Sequence, residues 1–275
     1  KGGRRKREAG VKHGIVVLTS LRREVDGVRP TFTDGMAKAD VLAKISFSNA
    51  ATWDIATPRL LPMWGEAPNT VEIVATTNAV SLGKVNLMRG VAKVSIGLGY
   101  SSVSSNTAAG FTDFKMTNAY FYNMHTTGAA APAAANLGSG KVTAPTVNNN
   151  ALNTNPISYS FSPAVQYTVQ NTMYLAERNA NNATLAPVYL VIGGYYGVGN
   201  TTDVSWYCLE LKDPTDGTKN LNYLRNHNYT VKILSVTGKG EPTPEEAINK
   251  KSKMTAFVTE WDAAESSPVL EGLYT

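Results

Sequence analysis

Three histidines, one cysteine and a few glycine-rich runs are the residues whose types could do chemistry, and their spacing decides how far that goes. His13, His125 and His227 stand far apart with no partner at i,i+2 or i,i+4, so they do not assemble a zinc site. Cys208 stands alone, which excludes an internal disulfide framework and any Cys-rich metal site. It lies in "DVSWYCLEL" and reads as a small hydrophobe on a strand, because no His or Lys close in sequence would lower its pKa. "NLGSGKVT" (136–143) imitates a phosphate loop, yet Ala135 takes the place of the first glycine and Val142 that of the Ser/Thr. "GLG" (97–99) and "GGYYGVG" (193–199) are not dinucleotide fingerprints and read as bulges or turns. "DPTDGTKN" (213–220) lacks the alternating ligands of a calcium loop and reads as a turn. There is no G-x-S-x-G elbow, and no carboxylate couple stands out for acid/base work. The expectation is a protein that is not an enzyme and holds no cofactor.

Charge narrows the partners. The chain carries a net +5, but residues 1–30 hold nine Lys/Arg against three Asp/Glu, leaving 17 against 18 in the remainder. The basic signal is therefore one N-terminal arm, "KGGRRKREAG", and the body is neutral. No basic stripe interleaved with aromatics follows it, so nucleic acid is not an expected partner. No run of 18 apolar residues offers a membrane-spanning helix. "GIVVLTSL" imitates a signal peptide only faintly, being short and without an A-x-A site. With no initiating Met, the sequence reads as a mature or trimmed form. Asn182, Asn200 and Asn228 each head an N-x-[ST] sequon, which matters only in a host that glycosylates them.

The elements behind these residues are strands. Asn and Gly suit turns while Thr and Tyr suit strands, and 13 Tyr stand against 7 Phe. Strand patterns occur at 11–20, 40–48, 70–77, 89–99, 114–123, 187–196, 203–211, 227–236 and 254–261. In "RGVAKVSIGLG", Ala92, Val94, Ile96 and Leu98 alternate with Val91, Lys93, Ser95 and Gly97. The best helical signal is "TPEEAINK" (243–250), with Thr243 as N-cap, Pro244 at the first position and acids in the first turn. The Ala/Asn/Gly/Pro-biased stretch 125–158 reads as a long surface or mobile connection. A boundary falls near residues 84–90. The expected fold is all-β, two β-sandwiches in tandem with few short helices.

The end of the chain, "SSPVLEGLYT" (266–275), is a strand without a visible partner. Val269 and Leu273 fall on one face, Leu270 and Tyr274 on the other, with Glu271 between them. A strand apolar on both faces suits a groove better than a solvated edge, in its own sandwich or in another molecule.

Three stretches together resemble the major fimbrial subunits of Bacteroidales, the type V pilins or fimbrillins. "LLPMWGE" (60–66) precedes "NLMRGVAKVSI" (86–96), which is similar to the start of that family's C-terminal domain. "MYLAERNAN" (173–181) is similar to its Tyr-Leu-x-Glu-Asn segment. Most specific is the run from "YLRNHNYTVKILSVTGKGEPTPEEA" to "FVTEWDAAESSPVLEGLYT". There the Arg-Asn-His-x-Tyr motif, the Gly-x-Gly-x-x-x-Pro turn and the V-x-E-W strand recur in the family's order. The resemblance spans roughly residues 8–275.

It implies two transthyretin-like β-sandwiches, an N-terminal strand-acceptor domain over 1–85 and a C-terminal domain over 86–262, with a donor strand at 263–275. It implies a lipoprotein precursor, exported to the outer membrane, touching it only through the lipid anchor, and trimmed by an Arg- or Lys-specific protease. Arg4, Arg5, Lys6 and Arg7 are the processing region, with the cut before Lys1 or within this arm. Trimming would open a groove, for which Ile15, Val17, Val71 and Ile73 are candidates, and the next subunit's Val269, Leu270, Leu273 and Tyr274 would fill it. Burying four such side chains is worth on the order of 6–12 kcal/mol before ordering costs. Head-to-tail exchange need not close, so it yields fibres. The implied partners are identical pilin subunits in a homopolymer, anchor and tip fimbrial subunits, and the maturation protease; the implied place is a cell-surface fimbrium serving adhesion and colonisation. Two alternatives stand beside it. One is a fimbrial tip or accessory adhesin, with contact surface near 100–158. The other is an exported carbohydrate-binding sandwich with Trp53 or Trp64 as platform.

Overall fold

Period-two alternation decides the architecture, because a strand apolar on one face must bury it against a second sheet. The computed structural model describes residues 12–13, 16–19, 30–48, 61–72, 81, 83–98, 114–133, 136–138, 141–145, 151–164, 171–250 and 253–262. In chain order the elements begin with β1 (Lys12–His13), β2 (Val16–Thr19), α1 (Lys38–Ala43), β3 (Ser46–Ser48), β4 (Met63–Glu66), β5 (Val71–Glu72), β6 (Met88–Arg89) and β7 (Val91–Leu98). Next come β8 (Lys115–Tyr122), β9 (Thr127–Ala129), β10 (Leu137–Gly138), β11 (Lys141–Val142), β12 (Ile157–Ala164) and β13 (Asn171–Ala176). The chain continues with β14 (Tyr189–Tyr195), β15 (Val204–Leu209), β16 (His227–Val236), α2 (Pro244–Asn249) and β17 (Met254–Asp262). The fold is all-β, and both helices among the described residues are six residues long.

Two four-stranded sheets, ordered β12-β8-β14-β15 and β13-β7-β16-β17, pack face to face. Ala92, Val94, Ile96 and Leu98 of β7 point into this core, as the alternation predicts. They meet Phe121 of β8, Ile192 of β14, and Tyr229, Val231 and Ile233 of β16. Aromatic rings pack edge-on, Phe121 against Tyr159 and Tyr223, and Phe114 against Tyr207. The opposite face of β7 is not left to water either: Val91 is buried with Phe47 and Ala176. β7 and β16 run parallel at the centre of their sheet. A parallel pair needs a long crossover, and here residues 99–226 supply it while building all four strands of the facing sheet.

Two bulges reset the alternation. In β8, Gly193 lies opposite Asn118 and Gly194 opposite Met116, so Thr117 is the extra residue. Met116 and Ala119 both reach the core because of it. In β16, Ile233 pairs with Ala256 and Ser235 with Thr255, which leaves Leu234 as the extra residue and sends Val236 inward. Gly194 is needed beside the first bulge, since a Cβ there would sit 2.4 Å from Phe114 Cζ.

The N-terminal elements form smaller sheets, β2-β4-β6, β1-β5 and β3-β9. The chain leaves the first of these at Gly90, whose N–H donates to the Pro62 carbonyl at 2.7 Å, and enters the sandwich at Val91. Two expectations need correction. The strand expected over 40–48 is a strand only from Ser46; Lys38–Ala43 is helical. Ala39, Leu42 and Ala43 are strong helix formers, and Asp40 sits favourably in the first turn, where the helix dipole attracts an acid. Nor is the stretch 125–158 a surface connection throughout. His125, Ala130, Ala131 and Val142 are buried, and the stretch contains β9, β10, β11 and the start of β12. Short apolar side chains fill tight space without leaving a periodic signal.

α2 forms where expected. The Thr243 hydroxyl accepts from the Glu246 N–H at 3.2 Å, and Pro244 opens the helix. Its Ala247 packs on Val191 and Cys208. Cys208 is a buried thiol on β15, as its sequence context predicts, and burial, reinforced by Glu210, pushes its pKa up to about 11. The unfolded thiol titrates near its ordinary value of 9.0. Between these values the unfolded chain loses a proton that the folded chain keeps, so this contribution to stability is present below pH 9 and lost as pH rises toward 11. Alkylation by iodoacetamide at pH 9 is expected to be at least about tenfold slower in native than in urea-unfolded protein, as thiolate fraction and access dictate; equal rates would place the thiol at the surface.

Candidate functional site

Arg225, the first residue of the Arg-Asn-His-x-Tyr motif, is 1% exposed. A buried guanidinium is expensive unless its donors are used. Here Nε and Nη2 donate to Glu177 Oε2 at 3.2 and 3.1 Å, while Nη1 and Nη2 donate to the carbonyls of Ala130 and Ala129 at 3.2 and 3.0 Å. Glu177 belongs to "MYLAERNAN". Two of the three stretches that carry the resemblance therefore meet in space.

The rest of both motifs holds that junction. Asn226 adopts the left-handed conformation at φ 61°, which asparagine tolerates better than most side chains, and its N–H donates to Val91 O at 2.9 Å. His227 Nδ1–H donates to the Arg225 carbonyl at 2.8 Å. The Tyr229 hydroxyl accepts from the Leu224 N–H at 3.0 Å. Across the junction, Arg178 and Tyr223 exchange backbone hydrogen bonds of 2.8 and 2.9 Å. The Arg178 guanidinium donates to the carbonyls of Asn123, Asn179 and Ala186, and its burial lowers its pKa. Asn222 Oδ1 accepts from the Ala180 N–H, and Asn181 Nδ2 donates to Asn220 O. The Gly-x-Gly-x-x-x-Pro turn works at another place: Trp206 and Glu241 exchange two backbone bonds of 2.9 Å, which covers the outer edge of β15. A Cβ on Gly240 would lie 2.4 Å from Trp206 O.

Arg225 also ties the N-terminal elements to the sandwich. The carbonyls it binds belong to the last residue of β9 and the one after it, and β9 pairs with β3 through Ser46–Ala129, Phe47–Gly128 and Ser48–Thr127. Phe47 lies directly over Gly128, where a Cβ would come within 2.2 Å of its Cζ. The Ala130 N–H extends the pairing to Ile45 O at 2.9 Å. Beside this junction, α1, β4 and the segment after β9 enclose a cavity of about 680 Å³, which Glu177, Arg225 and Trp64 help to line.

The residues expected to act in assembly fall mostly elsewhere. Val269, Leu270, Leu273 and Tyr274 lie outside the described residues, as do Arg4, Arg5, Lys6, Arg7, Ile15 and Ile73. Val17 is on β2 opposite Gly65, and Val71 is on β5 opposite His13. His125 and His227 are buried in separate parts of the fold, and among the described residues no group of three or more His, Cys, Asp or Glu is placed to hold a metal ion. Among the described residues no helix is long and apolar enough to cross a membrane. Sequence reading missed Glu177 and Arg225 as a pair. The signal available was a charged residue of each sign placed directly beside an apolar strand, Glu177 after β13 and Arg225 before β16, since such residues are seldom buried unless paired.

No protein-family model matches the sequence, and none of the curated proteins does. Solved structures do match. A candidate cell adhesion protein from Bacteroides eggerthii aligns over 91% of this chain and 77% of its own, with 21% identity and a TM-score of 0.55. One from Parabacteroides distasonis aligns over 92% and 83%, with 12% identity and a TM-score of 0.56. The chain has the fold of these Bacteroidales proteins. At these identities the likeness is one of fold, and it agrees with the fimbrillin resemblance of the motifs. A fimbrial assembly protein from Parabacteroides distasonis aligns over 82% of this chain and 65% of its own, with 14% identity and a TM-score of 0.41.

Within this fold the junction has measurable consequences. Glu177→Ala leaves Arg225 buried without its carboxylate and is expected to cost about 3–5 kcal/mol in urea denaturation. Glu177→Gln keeps an acceptor and is expected to cost clearly less; equal losses would show that charge rather than hydrogen bonding governs the pair. At the left-handed position, Asn226→Ala is expected to cost about 1–2 kcal/mol while Asn226→Gly stays within a few tenths of the parent.

Proposed function

We propose that this chain is a structural subunit of a cell-surface fimbrium that polymerises head to tail by donor-strand exchange. The observation that carries the reading is the fold shared, over nine-tenths of the chain, with candidate cell adhesion proteins of Bacteroidales. The apolar ending "PVLEGLYT" beyond β17 supports it from the sequence side. In this reading residues 1–85 are the acceptor domain, 86–262 the C-terminal sandwich and 263–275 the donor strand. β2, which carries Val17, is an edge strand of its sheet among the described residues. An edge exposes unpaired N–H and C=O groups that an added strand satisfies. The donor contributes Val269, Leu270, Leu273 and Tyr274, and Ile15, Val17, Val71 and Ile73 receive them. The role is mechanical rather than enzymatic. Its partners are further copies of the chain, anchor and tip subunits, and an Arg/Lys-specific protease acting at Arg4–Arg7 on an exported lipoprotein precursor.

The test is assembly after mild tryptic digestion. Full-length protein is expected to give SDS-resistant ladders and filaments by electron microscopy. Protein ending at Ala264 is expected to melt at the same temperature yet stay monomeric. Ladders of equal length from the shortened chain would overturn the donor-strand reading.

A further inference from the structure

We propose that the outer edge of β17 pairs with the same edge of a second copy of the chain, antiparallel and across a two-fold axis at Phe257.

A sheet edge carries a row of unpaired N–H and C=O groups, and natural β proteins block such rows against other chains. Among the described residues, three of the four edges of the sandwich are blocked, each by a different device. On β13, the Tyr159 hydroxyl reaches across from the facing sheet, donates to the Tyr174 carbonyl at 2.8 Å and accepts from the Tyr174 N–H at 3.2 Å. On β15, Trp206 exchanges two backbone bonds with Glu241. β12 is broken by a register shift between Ser160 and Ala164, and Pro163 within it has no N–H to offer. β17 ends the order β13-β7-β16-β17, and among the described residues no strand lies on its outer side. It holds no Pro, and from Met254 to Thr259 it holds no charge.

A second observation falls on the same strand. Phe257 is one of three large hydrophobic side chains exposed among the described residues, and it stands at mid-strand between Thr255 and Thr259, both exposed. Lys232, on the neighbouring β16, holds the ring with its ammonium 5.6 Å from the centroid.

An identical edge answers both features, because two equal strands pair antiparallel about a two-fold axis and each copy offers what the other lacks. With the axis at Phe257 the two rings meet, and each Thr255 faces Thr259 of the copy. Aromatic and β-branched residues are the favoured cross-strand pairs. Glu260 then faces Met254 of the copy, so no like charges are opposed along this stretch. The chain's own ending, apolar on both faces, fits less well, since the outer face of β17 is open to water and forms no groove. So short a pairing is weak, with a Kd on the order of a millimolar. Subunits at assembly concentrations stay apart, while in the filament proposed above the repeated contact aligns filaments side by side.

The pairing does not depend on donor-strand exchange, so it is tested on the full chain before tryptic digestion. Sedimentation equilibrium from about 10 μM to about 1 mM is expected to show a reversible dimer at the upper end. Thr255→Lys combined with Thr259→Lys sets lysine opposite lysine twice. It is expected to weaken dimerisation at least about tenfold at an unchanged melting temperature. A short bismaleimide is expected to join Thr255→Cys protein to Thr259→Cys protein several-fold faster than it joins Thr259→Cys protein to itself; Cys208 is buried and does not compete. If the lysine variant melts lower than the parent, the cysteine pair decides. The proposal is overturned if the full chain is monomeric throughout, if the lysine variant dimerises like the parent, or if Thr259→Cys protein links to itself as fast as the mixture reacts. A dimer that forms only once residues 265–275 are removed would give the edge to the chain's own ending and overturn it as well.

Discussion

A guanidinium withdrawn from water is the constraint around which the junction of this molecule is organised. Desolvating the charge of Arg225 costs several kcal/mol, and a carboxylate partner with further hydrogen bonds, four in all here, offsets it. Glu177, directly after β13, supplies one partner, and Ala129 at the end of β9 and Ala130 just after it supply two carbonyls. Each partner fixes a different part of the fold. Glu177 ties the motif to the β13 side of the sandwich, and the carbonyls of Ala129 and Ala130 tie it to the segment that pairs with β3. Breaking the pair would loosen the sandwich and its N-terminal attachment together.

The same logic explains why these motifs are rich in asparagine, arginine and histidine. Asn226 turns the chain through a left-handed residue, His227 locks onto the carbonyl two residues back, and the Tyr229 hydroxyl receives a loop N–H. These are devices for satisfying backbone groups where irregular chain is buried. Polar residues in such a place read as chemistry in one dimension and as carpentry in three.

The sequence made β16, α2 and the inward face of β7 legible, because each carries a local signal: period-two alternation in the strands and a Thr-Pro-Glu-Glu cap in the helix. β12 was not read as a strand, although Ile157, Tyr159 and Phe161 alternate with exposed serines, because the Asn-rich approach to it hid the pattern. α1 was not legible either, for a six-residue helix shows too little period to outweigh its Val and Ile neighbours. The bulges at Thr117 and Leu234 were invisible in principle, as register belongs to the partner strand. The pairing of Glu177 with Arg225 joins residues 48 positions apart, and no local rule reaches that far. The cavity is less legible still, because Trp64 and Glu177 acquire their shared lining only when β4 and β13 have been placed.

The parallel pairing of β7 with β16 bears on the order in which the molecule comes into being. Asn228 sits beside Lys93, so the centre of one sheet joins residues separated by most of the sandwich's length. Contacts of such long range are slow to form, because the intervening chain must first give up its freedom. β7 therefore spends the early life of the chain without its central neighbour, and the second sheet closes only after β16 has emerged. A polypeptide built this way stays threadable until nearly all of it is present, and becomes rigid late and at once.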